Sequence, residues 1–359
     1  MTDRIYLDHA ATTSMTDAAR AAVAEGMARW ANPSSPHAEG RAARRALEDA
    51  RAAIASAYGW RREILLTSGA SESIAIAMQR SMAPAKIVSA VEHDAVMRHT
   101  GPGVAMMPVA ADGRIDPVAL AGLLSPDRPT LVAVQWANSE TGVRQPIAEI
   151  AQVVHDAGGL VFVDAAQMPA GADPEVAAHA DFVALSAHKR GGPPGIGALL
   201  VRDFATLLPT GGQERGYRPG TENLPAALGY AAALAEPEPF ARWRVLRDSL
   251  DGAICAAGGE VVLADSPRHP AIASYRMPGI ASAAQLIQFD SAGFAVSAGS
   301  ACASGTLKPS HVLTAIGLDD PARGEVVRVS FGRATTAGEV DGFASAWSSV
   351  ARRGRIRAA

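Results

Sequence analysis

The sequence predicts an α/β protein: a large part built on a mostly parallel central sheet flanked by helices, followed by a smaller α+β part. Three observations lead there. Short apolar runs alternate with helical patterns through the first two thirds of the chain. Polar residues able to do chemistry fall at the ends of those runs. The alternation stops after Pro237-Glu238-Pro239. Continuous apolar runs suit strands buried on both faces, as in parallel sheets. In such sheets ligands gather at the carboxyl ends of the strands.

The elements follow in order. The runs at 63–67, 86–90, 130–136, 160–164, 182–186 and 196–202 read as buried strands. Asp116 is an N-cap and Pro117 occupies the first helical position, opening a helix through 118–124. Apolar residues recur at helical spacing over 147–157, and Gly158-Gly159 stop that helix. Past the proline pair come a helix at 240–256, strands at 260–264 and 271–276, a helix near 281–289 and a strand at 326–331. Thr336 and Glu339 form a capping box for the last helix. The expected division is a large domain, residues 16–238, and a small domain made of residues 1–15 and 239–359.

The composition narrows the function classes. The chain has 359 residues, 48% hydrophobic and 19% charged, an ordinary balance for a soluble protein. Its net charge is −3 and it has no long basic run, so no nucleic-acid partner is expected. Arg352, Arg353, Arg355 and Arg357 read as a short solvated tail. No apolar stretch is long enough to span a bilayer, and the first residues lack a signal-peptide pattern, so no membrane association is expected. Two cysteines make neither a disulfide framework nor a zinc site. The expected home is a reducing compartment, the cytoplasm, with no metal.

One cysteine stands apart. Cys302 lies in Ser297-Ala298-Gly299-Ser300-Ala301-Cys302-Ala303-Ser304-Gly305. Such small side chains give a segment little to anchor it, so the sequence reads as a loop able to swing a thiol. A buried thiol beside a Gly-rich turn is the plainer reading of the same residues. Cys255, inside a helical pattern, reads as a packing residue.

Asp164 closes the run at 160–164, and Lys189 follows the next strand within Ser186-Ala187-His188-Lys189. Singly, they read as a solvated strand-end carboxylate and a surface lysine. Together they suit pyridoxal 5'-phosphate, which needs an amine for attachment and a carboxylate to keep its ring nitrogen protonated. Thr67-Ser68-Gly69-Ala70-Ser71-Glu72-Ser73 runs from a strand into a helix, where backbone N–H groups stabilise an anion. An ordinary N-cap has the same pattern.

At this point the chain resembles a known family nearly end to end. The marks are Tyr6-Leu7-Asp8-His9-Ala10-Ala11-Thr12-Thr13, Asn32-Pro33-Ser34-Ser35, the Thr67 to Ser73 turn, Glu92-His93, Asn138-Ser139-Glu140-Thr141-Gly142, Val163-Asp164-Ala165-Ala166-Gln167, Ser186-Ala187-His188-Lys189, Glu214-Arg215-Gly216-Tyr217-Arg218-Pro219-Gly220-Thr221 and Ser330-Phe331-Gly332-Arg333. Their order resembles the cysteine desulfurases, in the class V aminotransferase branch of fold type I pyridoxal-phosphate enzymes. The Cys302 segment resembles the family's longer-loop subgroup, which includes enzymes of iron–sulfur cluster assembly.

The resemblance implies roles. Lys189 would hold the cofactor, Asp164 its ring nitrogen and Gln167 its phenolic oxygen. His93 would stack on the ring and move protons. Gly69, Ala70, Ser71, Ser186 and His188 would bind the phosphate, with Thr221 reaching in from the second subunit of a homodimer. Arg333, aided by Asn138, would grip the carboxylate of L-cysteine. Cys302 would take the sulfur as a persulfide, leave L-alanine, and pass the sulfur to an acceptor or iron–sulfur scaffold protein. Selenocysteine lyase, or another class V aminotransferase-type reaction, is the alternative. The chain departs from housekeeping members at Arg190-Gly191-Gly192-Pro193-Pro194-Gly195, at Pro219 and in its short C-terminus.

Overall fold

Seven segments pair into one sheet in the computed structural model, which describes residues 4–299 and 310–358. In spatial order they are Glu63–Thr67, Gly197–Val201, Phe182–Ser186, Leu160–Asp164, Thr130–Gln135, Ala85–Ser89 and Val104–Met107. The last five are parallel to one another, and Gly197–Val201 runs antiparallel to the strands on both its sides. Every residue of Thr130–Gln135, Phe182–Ser186 and Gly197–Val201 is buried, as two covered faces require.

Alternation along the strands sorts side chains to the two faces. Ile64, Leu66, Val161 and Val163 join one core with Leu47, Ile54 and Tyr230 from the helices Ala38–Ala57 and Leu224–Leu234. Leu65 and Phe162 join the opposite core with Ile74 and Met78 from the helix Ala70–Arg80. Each such buried side chain contributes roughly 1.5–3 kcal/mol.

Six of the seven strands lie where the apolar runs place them, within a residue at each end. Val104–Met107 is the exception: its four apolar residues, closed off by Pro108, are a short run at the edge of the sheet, and two of them are exposed. The helix expected over 118–124 stops at Ala121, with Gly122 as its C-cap.

A second, antiparallel sheet orders Val326–Ser330, Ile272–Arg276 and Glu260–Val261. The strand expected over 260–264 ends early, where Leu263 turns to φ 55. Trp243, Leu250, Tyr275, Phe289, Phe343 and Trp347 form a separate core beneath this sheet. Ile5–Tyr6 pairs with Phe294–Ala295, and Asp8 bridges Ser330, so the chain's start lies against its last third. The capping box is present: the Thr336 N–H donates to Glu339 Oε2 at 2.7 Å, and the Glu339 N–H to Thr336 Oγ1 at 3.3 Å.

Cys255 corrects an expectation. It is exposed on the helix Phe240–Ala256, whose buried stripe is Trp243, Leu246, Arg247, Leu250 and Ile254. One residue past Ile254, about 100° around the helix, the thiol leaves that stripe. No helix among the described residues is long and apolar enough to cross a membrane.

Candidate active site

A cavity of about 460 Å³ opens at the carboxyl ends of the parallel strands. Asp164 ends one strand, and Ser186, His188 and Lys189 follow from the next. All four line the cavity, with Gly69, Ala70, Ser71, His93 and Gln167. The structure thus brings together residues that the chain holds far apart.

The phosphate-binding turn is built for close approach. Gly69 caps the helix Ala70–Arg80 and provides no side-chain hydrogen bond to the first-turn amides. These N–H groups are left for an anion beside the cavity. Gly197 packs against this turn, and a Cβ there would lie 2.6 Å from Gly69 Cα. Glu72, also on the rim, accepts a hydrogen bond from the Ser68 N–H at 2.5 Å and is paired with Arg218 at 2.9 Å.

Asp164 is buried, and Oδ1 accepts the Ala166 N–H at 3.0 Å. Gln167 donates from Nε2 to the Ala10 carbonyl at 2.9 Å. Its Oε1 is buried without a hydrogen-bond partner, which leaves the amide one site to spare at the cavity wall. His93 caps the short helix Asp94–Met97, and its Nδ1 accepts the Ala95 N–H at 3.1 Å. That contact puts the neutral ring's proton on Nε2. Burial, then the Lys189 charge, pushes the His93 pKa down, against the pull of Asp164. Burial, Lys189 and Arg190 push His188 down to about 4. Both imidazoles are therefore neutral at pH 7. An amine, a carboxylate, a neutral imidazole, an uncapped helix start and a spare amide atom around one cavity fit pyridoxal phosphate.

Other residues fall elsewhere. Thr221 is exposed and does not line this cavity. Asn138 is buried and occupied: its Oδ1 takes the N–H groups of Glu140 and Thr141 and the Thr141 hydroxyl, and its Nδ2 donates to the Val91 carbonyl. Arg333 lies outside the large cavity and pairs with Glu238 at 3.1 Å. Cys302 lies outside the described residues.

The guanidinium at the cavity is Arg328. It is 3% exposed, donates to the Ser139 carbonyl at 2.9 Å and pairs with Asp8 at 2.7 Å. Its backbone exchanges hydrogen bonds with Ser297, shortly before Cys302 in sequence. Sequence reasoning passed over Arg328, although a charge inside the apolar strand Val326–Ser330 is a signal: an ion there needs a partner. Glu92 was likewise given no role. It is fully buried, with Oε1 on the Gln135 N–H at 2.7 Å, and burial followed by Asp164's charge raises its pKa well above the usual carboxylate value.

The aminotransferase class-V family matches residues 5–343. A cysteine desulfurase of Cereibacter sphaeroides is 39% identical, over 94% of this chain and 93% of its own length. An IscS-like cysteine desulfurase of Mycobacterium tuberculosis is 38% identical over the same shares. Among solved structures, a NifS-like protein from Rickettsia africae superposes with a TM-score of 0.89 at 29% identity, covering 97% of this chain and 99% of that one. The chain belongs to the aminotransferase class-V family of pyridoxal-phosphate enzymes and, within it, to the cysteine desulfurases.

Proposed function

We propose that this desulfurase moves the sulfur of L-cysteine onto Cys302, and works as a cytoplasmic homodimer that passes the sulfur to an acceptor protein such as an iron–sulfur scaffold. The observation that carries the reading is the convergence of Lys189, Asp164, His93 and Arg328 on one cavity. Lys189 holds the cofactor, Asp164 and Gln167 fix its ring, and Gly69, Ala70, Ser71, Ser186 and His188 bind its phosphate. When bound, pyridoxal phosphate supplies an electron sink that weakens the bonds at the substrate's α-carbon.

This chain's residues do the rest. Arg328 suits a bidentate grip on the substrate carboxylate, because its rigid fork is already oriented by Asp8 and Ser139. Arg328, and not Arg333 as the resemblance implies, takes the substrate role, and Asn138 shapes the turn that carries Ser139. His93, neutral and with its proton on Nε2, can give that proton up within the cavity. The Cys302 thiolate attacks the substrate sulfur as the carbon–sulfur bond breaks. The electron pair of that bond stays with the carbon fragment, which takes up a proton and leaves as alanine. The sulfur stays on Cys302 as a persulfide.

The separate cores support two domains, residues 16–238 and residues 1–15 with 239–359. Thr221 is exposed and away from its own chain's cavity, which favours a role across a subunit boundary. Mass spectrometry after incubation with L-cysteine tests the chemistry. The extra sulfur should sit on the Cys302 peptide, Cys302→Ser should keep the cofactor colour yet release no sulfide, and Cys255→Ser should stay active. Label on Cys255, or normal turnover by Cys302→Ser, would refute the assignment.

A further inference from the structure

We propose that Arg333 is a positioning residue for Lys189, acting through a buried ionic cluster with Glu238 and Arg190. This deepens the functional reading and rests on Lys189 being the cofactor's anchor.

Arg190 follows Lys189 directly in the chain. Its Nη1 lies 2.7 Å from Glu238 Oε2, and Arg333 Nη2 lies 3.1 Å from Glu238 Oε1. One carboxylate therefore joins two guanidiniums, one beside the lysine and one beyond the strand Val326–Ser330. The three side chains are 6%, 7% and 17% exposed, for Arg190, Glu238 and Arg333 in turn. Arg333 also donates from Nη1 to the Arg190 carbonyl at 3.0 Å, which fixes the backbone of the lysine turn itself. Its Nη2 faces the Ala233 and Glu236 carbonyls at 3.4 and 3.2 Å. These close the helix Leu224–Leu234, where the dipole favours a cation. Gly191, at φ +76, makes the approach possible: a Cβ there would lie 2.9 Å from Arg333 Nη1. Arg333 lines a small cavity of about 10 Å³, with Lys189 and Gln167 on its wall. That volume suits about one water, not a substrate.

Two consequences follow. Removing one member of a buried ion network loosens what it held. Each charge of the cluster, with Glu236 near Arg333, also acts on the nitrogen that carries the cofactor, which faces Asp164, His93, His188 and Arg328 across the large cavity: a guanidinium disfavours its protonated form and a carboxylate favours it. Loss of Arg333 should let that nitrogen keep its proton to higher pH, and loss of the Glu238 charge should do the reverse. A purely structural role predicts no such opposition.

The experiment titrates the visible cofactor band against pH in the holoenzymes, measures pyridoxal-phosphate affinity of the apo-proteins by fluorescence quenching, and determines KM for L-cysteine. Arg333→Gln should bind the cofactor about tenfold more weakly and shift the band midpoint up, with KM changed less than about twofold. Glu238→Gln should also weaken binding but shift the midpoint down. The double variant should lose less affinity than the product of the single losses. Arg328→Gln should instead raise KM and leave the band in place. If Arg333→Gln does not fold, Arg333→Lys decides: weakened cofactor binding at unchanged KM supports the role, and raised KM with normal binding overturns it. Midpoints that stay put or move together in Arg333→Gln and Glu238→Gln overturn it too. Lys189→Ala keeping the band would overturn the anchor assignment, whereas an unmoved band in Arg333→Gln with no band in Lys189→Ala sinks only the positioning role.

Discussion

Lys189 stands among histidines whose protonation burial resists, and this gives the residue scale its pH prediction. His9 is pushed down to about 4, chiefly by burial, against an ordinary value of 6.5. Its ring meets Tyr6 edge-on at 4.9 Å and packs so closely on Gly332 that a Cβ there would lie 2.1 Å from it. Between pH 6.5 and about 4 the unfolded chain binds the His9 proton and the folded chain does not. Stability therefore falls as pH drops through that window, and His9 adds nothing further below it. His9→Asn should have a flatter fall of Tm between pH 6.5 and 4 than the parent, by a few degrees across the window. The buried, raised carboxylates Glu92 and Glu140 act in the opposite sense, but they are common to both proteins and cancel in the comparison. Equal slopes would count against a neutral, buried His9.

At the scale of elements, the site depends on two turns touching. The start of the helix Ala70–Arg80 meets the strand Gly197–Val201 through two glycines, Gly69 and Gly197. Gly197→Ala would place a methyl against backbone, which cannot swing aside as a side chain can. It should cost about 1–3 kcal/mol of stability and weaken cofactor binding, read by thermal melts and fluorescence titration. An undisturbed cofactor affinity would refute the idea that this contact shapes the phosphate turn. Gly252 offers the contrast. It lies inside the helix Phe240–Ala256 with nothing within 4 Å of a built Cβ. Gly252→Ala should stabilise the protein by about 0.5–1 kcal/mol and leave activity unchanged, because alanine loses less backbone entropy in a helix.

For the whole molecule, the arrangement of the two sheets decides what reaches the cavity. The strand Val326–Ser330, from the second sheet, delivers Arg328 to residues held by the first. Ile5–Tyr6 and Asp8 tie the chain's start to the same region, and Asp8 orients Arg328. Asp8→Asn should therefore raise KM for L-cysteine several-fold while leaving the visible band intact. An unchanged KM would argue against a substrate role for Arg328. The proposed homodimer makes a separate prediction: light scattering should give twice the 37.0 kDa chain mass at assay concentration, and Thr221→Ala should weaken cofactor binding. An active monomer would refute it.

Much of this was legible in the sequence. Continuous apolar runs specify strands buried on both faces, and strand ends carrying Asp164 and Lys189 mark where a ligand gathers. The glycine turn after Glu63–Thr67 announces an anion site for the same local reason. What escaped depends on contacts between distant segments. Val104–Met107 is a strand because Ala85–Ser89 pairs with it, and its own run of four apolar residues before Pro108 is too short to say so. Cys255 looks like a packing residue until the helix's buried stripe is known. Arg328 and Arg333 stand only a few residues apart, and the sequence favoured the second. The structure sends Arg328 to the large cavity, with Asp8 and Ser139, and Arg333 to the cluster behind Lys189, with Glu238. Periodicity and turn chemistry are local and can be read along the chain. The partner of a buried charge is chosen by packing, and only the tertiary structure decides it.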